Sequence, residues 1–178
     1  MIKNIILGGG CFWCTEAIFK ATKGIEKVLP GYIGGNTSNP TYKDICTGLT
    51  GHAEVISIDY DLKKINLENI LEIFFSTHDP TTINRQGNDI GTQYRSSIFT
   101  SDKKEIELIT KHIQHLDSSN EFNNKIVTTI ENKTTFYVAE SYHHDYFENN
   151  KSAPYCSIVI SPKVEKFQKR NSKFLNKI

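Results

Sequence analysis

No apolar run in this 178-residue sequence approaches the roughly 20 residues a helix needs to cross a bilayer, so a helical membrane span is excluded. The first apolar run, Ile2 to Leu7, is short and at once broken by glycine, too little for a signal peptide. The chain is therefore expected to stay in the cytoplasm. A dominant charge is missing as well: a net charge of +1 with no basic run gives no reason to invoke nucleic acid or an anionic membrane. The four cysteines do not form two close pairs, and in a reducing compartment they read as catalytic, buried or metal-bound rather than as disulfide staples. No Gly-Lys-Ser/Thr follows the first glycines, which excludes a phosphate loop, and Trp13 stands where a dinucleotide fingerprint requires its third glycine. Internal repeats and low-complexity segments are absent. What remains is an ordinary globular composition, 38% hydrophobic and 23% charged, sized for a single domain over residues 1–178 with its own core.

Within that composition, Gly8-Gly9-Gly10-Cys11-Phe12-Trp13-Cys14 stands out. It lies between a strand-like run, Ile2 to Leu7, and a helix-like run, Thr15 to Thr22. Glycines allow a sharp turn, and a helix opening at or near Cys11 aims free N–H groups and its positive dipole end at the sulfur. Thiols so placed have pKa values of roughly 3.5–7.5, so Cys11 is expected to be a thiolate nucleophile. Phe12 and Trp13 suggest an apolar wall for a small substrate group, although a lone tryptophan is by default a core residue. The Cys-x-x-Cys pair by itself could also be half of a zinc site.

Further along, Ile25 to Ile33 is a strand, Tyr42 to Thr47 a helical turn, and His52 to Tyr60 a strand. Alternation puts Glu54 on the same face as Ile56, Ile58 and Tyr60, an odd place for a carboxyl group. Leu67, Ile70, Leu71, Phe74 and Phe75 mark an amphipathic helix, and His78 to Gln93 reads as a long polar loop. Tyr94 to Thr100 is a strand, and Asp102 with Glu105 opens a helix carrying Ile106, Ile109, Ile113 and Leu116. Ile126 to Ile130 and Thr135 to Val138 read as two strands joined by a tight turn. Ala139 to Asn149 reads as a short helix, Ser157 to Ser161 as extended, and the basic tail after Pro162 as a final helix. The mixture predicts an α+β domain, a mixed sheet covered by helices. From about residue 150 onward the chain is expected to be a mobile segment.

Glu54 is either a solvated strand-edge residue or a buried acid, and burial would let it carry and donate a proton near neutral pH. His52 reads as a hydrogen-bonded structural histidine. Tyr32, Tyr42 and Tyr94 are core or rim aromatics singly, and an oxyanion-type donor set if gathered at Glu54. Asp89 is a turn residue by default, and Cys46 a small buried hydrophobe.

Gly10-Cys11-Phe12-Trp13, Gly31-Tyr32 with Gly34-Gly35, Asn39-Pro40-Thr41-Tyr42 and Gly51-His52-Ala53-Glu54 occur in that order. They are followed by His78-Asp79-Pro80, Asn84-Arg85-Gln86-Gly87-Asn88-Asp89, Gln93-Tyr94-Arg95-Ser96 and Ala139-Glu140 leading to Tyr155-Cys156. With these blocks, from about Lys3 to beyond Cys156, the chain resembles peptide methionine sulfoxide reductase type A. The resemblance implies a two-layer α/β sandwich with a ferredoxin-like core, free of metal and flavin, reducing the S epimer of methionine sulfoxide, free or in proteins. It implies Cys11 as the attacking thiol, Glu54 as proton donor, and Tyr42 and Tyr94 as hydrogen-bond donors. Asp89 would fix the polar end through water, and Phe12, Trp13 and His52 would bind the substrate. A Cys11 sulfenic acid would be resolved by a second thiol and recycled by thioredoxin, or by dithiothreitol in vitro. Cys156 matches the recycling position. Cys14, where most members carry Gly, is the other candidate, and a relay through both is the third. The protein is expected to act as a monomer. A non-catalytic thiol or zinc module and a general thiol peroxidase stand as the alternatives.

Overall fold

Strand β1 (Ile2–Gly9) sends Ile5 and Leu7 into the main core and Ile6 to the opposite face of the sheet, the alternation a pleated strand demands. Strand β3 (Ala53–Asp61) repeats it: Ile56, Ile58 and Tyr60 join the main core, and Ala53 and Val55 the other side. The computed structural model describes residues 1–175, so only the last three residues of the expected domain lie outside it.

β1 pairs antiparallel with β3 and with β6 (Ser96–Phe99), and β3 pairs antiparallel with β2 (Ile25–Ile33). Helices α1 (Phe12–Lys20) and α3 (Leu67–Thr77) are the two crossovers. The β-α-β-β-α-β order with strands laid out β6-β1-β3-β2 is the ferredoxin-like core the resemblance implied. Phe12, Ile18 and Phe19 of α1 and Ile70, Leu71, Phe74 and Phe75 of α3 are buried against one face of the sheet. A fully buried side chain of this kind stabilises by about 1.5–3 kcal/mol. The other face holds a smaller cluster with Phe99 and Phe136. The layers are thus sheet and helices, an α+β sandwich. Helix α4 (Lys103–Ser118) starts where expected, with Asp102 accepting the N–H groups of Lys104 and Glu105. Glu105 instead accepts the Thr100 hydroxyl, so the reciprocal half of the box is not formed.

Four expectations need correction. The 126–138 region is not a hairpin: β7 (Thr129–Glu131) pairs parallel with β6, and β8 (Tyr137–Val138) pairs with β2, at opposite edges of the sheet. Such short strands have few local contacts and take the edge that long-range geometry leaves open. The polar loop after α3 contains a small hairpin, β4 (Arg85–Gln86) with β5 (Asp89–Ile90), and Thr92–Tyr94 form a 3-10 turn ahead of β6. Residues 139–149 hold two short pieces, a 3-10 turn at Ser141–His143 and α5 (Tyr146–Asn149). Ser157 to Ser161 is not extended: Cys156–Ile160 form a π-helical turn that runs into α6 (Ser161–Arg170). Ile160, Val164 and Phe167 recur at helical spacing and are buried, while Pro162 sits in the first turn of α6, where a helix tolerates it.

Candidate active site

Cys11 is delivered by the end of β1. Gly10 has φ +88, and a Cβ there would come within 2.5 Å of the Gln86 side chain, so only glycine fits this turn. Cys11 then takes the N-cap position of α1 at φ −56 and ψ 123, outside the regular helix. Its carbonyl accepts the Cys14 N–H at 3.1 Å. Cys11 is 9% exposed and Cys14 3%, and the two thiols are hydrogen-bonded to each other. Cys14 is near enough to Cys156 for a thiolate there to raise the Cys156 thiol.

Burial works against the thiolate expected at Cys11. Burial pushes the Cys11 thiol well above its ordinary value, and Cys14 and Glu54 push the same way. The Trp13 N–H at the helix start opposes them, as a helix terminus should, but is outweighed. Cys14 is the lowered member of the pair, chiefly because it accepts a hydrogen bond from Cys11, against its own burial and with help from Lys163. The pair is coupled, with Cys11 pushed up and Cys14 pulled down.

Glu54 is 2% exposed on the inner face of β3, so the solvated strand-edge reading fails. Its Oε2 accepts the Phe12 N–H at 3.2 Å. Burial raises its carboxyl to about 8 against that hydrogen bond, with Asp89 and Cys14 adding to the rise. At neutral pH it holds a proton.

Tyr42, at the start of α2 (Tyr42–Cys46), and Tyr94 are both pushed up by burial first and by Glu54 next, so both remain neutral donors beside the acid. Tyr32, opposite Glu54 across the β2–β3 ladder, behaves alike but donates its hydroxyl to Glu140 at 2.8 Å. Glu140 also accepts the Tyr42 N–H at 2.7 Å, which anchors α2 over the site. Phe12 is fully buried against the Tyr32 and Tyr42 rings, and Trp13 is half-buried.

Two sequence readings fall elsewhere. His52 is buried with both ring nitrogens committed to backbone, Nδ1 to the Gly35 N–H at 3.0 Å and Nε2 to the Thr37 carbonyl at 2.7 Å. It holds the turn after β2, the hydrogen-bonded structural role its residue type suggested rather than the substrate contact the resemblance implied. Cys46 is exposed rather than buried, with its thiol against the Tyr42 hydroxyl.

Sequence reasoning missed three side chains that complete the site. Tyr155 donates its hydroxyl to Asp89 at 2.9 Å, lies beside both thiols, and meets Trp13 edge to face at 5.8 Å. His143, wholly buried, accepts the Trp13 indole N–H at 3.1 Å on Nδ1. Tyr146 stacks on Trp13 at 3.7 Å and 8°. All three come from more than 120 residues beyond Cys11, and no spacing in the sequence ties them to it. Cys156, next to Tyr155, is 0% exposed. Among the described residues no three His, Cys, Asp or Glu side chains group as a metal cluster.

A constellation of a buried thiol pair, a protonated carboxyl, neutral phenols and an aromatic wall can transfer a proton to a polar oxygen while sulfur chemistry proceeds beside it. Residues 3–175 match the family model described as peptide methionine sulfoxide reductase. The chain is 52% identical over 163 residues to the peptide methionine sulfoxide reductase MsrA of Saccharolobus solfataricus, covering 92% of this chain and 91% of that one. Its fold is similar to reduced Mxr1 from Saccharomyces cerevisiae, with a TM-score of 0.80 at 36% identity over 87% of this chain and 89% of that one. It is also similar to Mxr1 in complex with Trx2, with a TM-score of 0.56 at 27% identity over 82% and 84%.

Proposed function

The chain belongs to the peptide methionine sulfoxide reductase family, and we propose that Cys11 is its nucleophile, Glu54 its general acid, and Cys14 and Cys156 its resolving relay. It is an oxidoreductase that reduces methionine sulfoxide to methionine. The substrate is the S epimer, free or in proteins. Its methyl group lies against Phe12 and Trp13, and its oxygen faces Glu54, Tyr42 and Tyr94. A sulfoxide oxygen leaves poorly until protonated. Glu54 gives its proton to that oxygen as the Cys11 sulfur bonds to the substrate sulfur, and the Cys11 thiol proton returns to Glu54. The hydroxyl passes to Cys11, so methionine departs and Cys11–SOH remains. Tyr42 and Tyr94 stabilise the charge that gathers on oxygen. Asp89, held by Tyr155, fixes the polar end of the substrate through water.

Cys14 then condenses with the sulfenic acid to give a Cys11–Cys14 disulfide and water. Support comes from the hydrogen bond between the two thiols and from the position of Cys11 at the N-cap, outside the regular helical turn. Cys156 exchanges onto Cys14 and frees Cys11. A wholly buried Cys156 cannot meet a protein reductant, so the segment from about residue 150 must open for thioredoxin to reduce the Cys14–Cys156 disulfide. Thioredoxin as partner follows from the Mxr1–Trx2 complex of the relative. We place the reaction in the cytoplasm, on a single-domain monomer, with no metal or flavin.

The observation that carries this reading is the Phe12 N–H to Glu54 hydrogen bond, which sets a protonated acid against the turn that bears the thiol. The test is methionine released per enzyme from each sulfoxide epimer, with and without dithiothreitol. Catalytic release from the S epimer alone is expected, limited to about two methionines per enzyme without dithiothreitol because the relay frees Cys11 once. No release from either epimer with free thiols intact would end the proposal.

A further inference from the structure

We infer that Glu16 is a positioning residue for the substrate wall: its carboxyl group fixes the backbone of Asp145 and Tyr146 and so holds the Tyr146 ring flat against Trp13. The inference rests on the reading of Trp13 as the wall for the substrate methyl group. Trp13, Glu16 and Lys20 fall at i, i+3 and i+7 along α1 and so share one side of the helix. All three engage residues 143–146. The Trp13 indole N–H goes to His143, Glu16 Oε1 accepts the Asp145 N–H at 3.0 Å, and Lys20 pairs with the Asp145 carboxylate. The Tyr146 N–H lies close enough to the Glu16 carboxyl group to lower its pKa. Asp145 has φ 55 and ψ 30, a left-handed conformation that a non-glycine residue keeps only when its surroundings hold it. The Asp145 N–H captured by a buried carboxyl group, with the Tyr146 N–H beside it, supplies that hold, and the next ring in the chain lands on Trp13.

Stability alone does not account for this side chain. Glu16 is 2% exposed, and burial raises its carboxyl to about 7, against Lys20, His144 and the Tyr146 N–H. Glu148, Lys151 and Glu165 share the cleft of about 510 Å³ that it lines. A carboxyl raised above its unfolded value disfavours the folded state as pH climbs through that interval, because ionisation is easier in the unfolded chain. A neutral side chain would suit the fold better. What the carboxyl group adds is acceptor geometry toward the segment that braces Trp13.

Trp13 is the chain's one tryptophan, so its emission reads the stacking directly. In full-length protein, Glu16→Ala is expected to shift and strengthen Trp13 emission while the protein remains folded by circular dichroism. It should raise KM for methionine sulfoxide about tenfold with kcat within about twofold, the pattern of lost binding rather than lost chemistry. Glu16→Gln keeps one acceptor oxygen and should restore most of both. Should Glu16→Ala fail to fold, Glu16→Asp, which keeps the charge and shortens the reach, takes its place with the same expected changes. Wild-type emission and KM in the folded Ala or Asp variant would overturn the inference, as would a Gln variant no better than Ala. The emission does not depend on turnover. An inactive wild-type protein would therefore sink the proposed function while the emission still judged Glu16.

Discussion

The Phe12 N–H meets the Glu54 carboxyl group at 3.2 Å, so the acid is tied to the residue that follows the nucleophile in the chain. One backbone bond thus couples the β3 face, where a carboxyl is expensive to bury, to the helix start that carries Cys11. The coupling makes the protonation state of Glu54 a kinetic variable.

In single-turnover methionine release, the wild-type rate should fall as pH rises through about 8, because the acid is competent only while protonated. Glu54→Gln should lower the rate by about 10²–10⁴-fold and remove that fall. An unchanged rate in the Gln variant would take Glu54 out of the acid role.

The cysteine variants separate attack from resolution. Cys11→Ser should release no methionine. Cys156→Ser should release about one methionine per enzyme without reductant, accumulate a Cys11–Cys14 disulfide detectable by peptide mass mapping, and cycle with dithiothreitol but not with thioredoxin. Full thioredoxin-driven turnover of Cys156→Ser would leave Cys14 as the sole resolving thiol.

Tyr42→Phe and Tyr94→Phe each delete one neutral donor beside Glu54. Each should lower the single-turnover rate on the order of 10²-fold, with little change in the thermal midpoint. Because both would serve one oxygen, the double variant should fall short of the product of the two effects. Rates within twofold of wild type would return these tyrosines to the rim.

His78 sets an acid limit on stability. Its Nδ1 bonds the Phe74 carbonyl at 2.6 Å, and its Nε2 meets the Ser96 hydroxyl at 2.7 Å. Burial lowers its pKa to about 4. Between about 6.5 and about 4 the unfolded chain binds a proton that the fold refuses, so stability present above that window is lost as pH falls through it, on the order of 3 kcal/mol in all. Urea midpoints at pH 7 and 4.5 should show this loss, and His78→Gln, weaker at neutral pH, should show a flatter dependence.

The mixed sheet covered by helices was legible because its main strands and crossover helices are long: Ile2 to Leu7 ends in an apolar run and Leu67 to Phe75 recur at helical spacing, while the ferredoxin-like order came from the resemblance. Glu54 was legible as an anomaly for the same reason, a carboxyl at an inward position of a strand. β7 and β8 were not, since two or three residues carry no period and their partners lie at opposite edges of the sheet. His52 was legible as a hydrogen-bonded structural histidine, and the adjacent turn takes both its nitrogens.

The residues from Gly8 to Cys14 by themselves determined a strand, a glycine turn and a helix start with a cysteine at its mouth, because each follows from local backbone preference. The tertiary structure alone decided that the Cys11 thiol is pushed up and the Cys14 thiol down. Helix-terminus N–H groups act at short range and favour a Cys11 thiolate, but burial depends on every segment packed above the thiol, and Cys14 and Glu54 add to it. It also decided the wall around Trp13. His143, Tyr146 and Tyr155 reach it only because the sheet and α1 bring distant chain to one place, and no local pattern encodes that meeting.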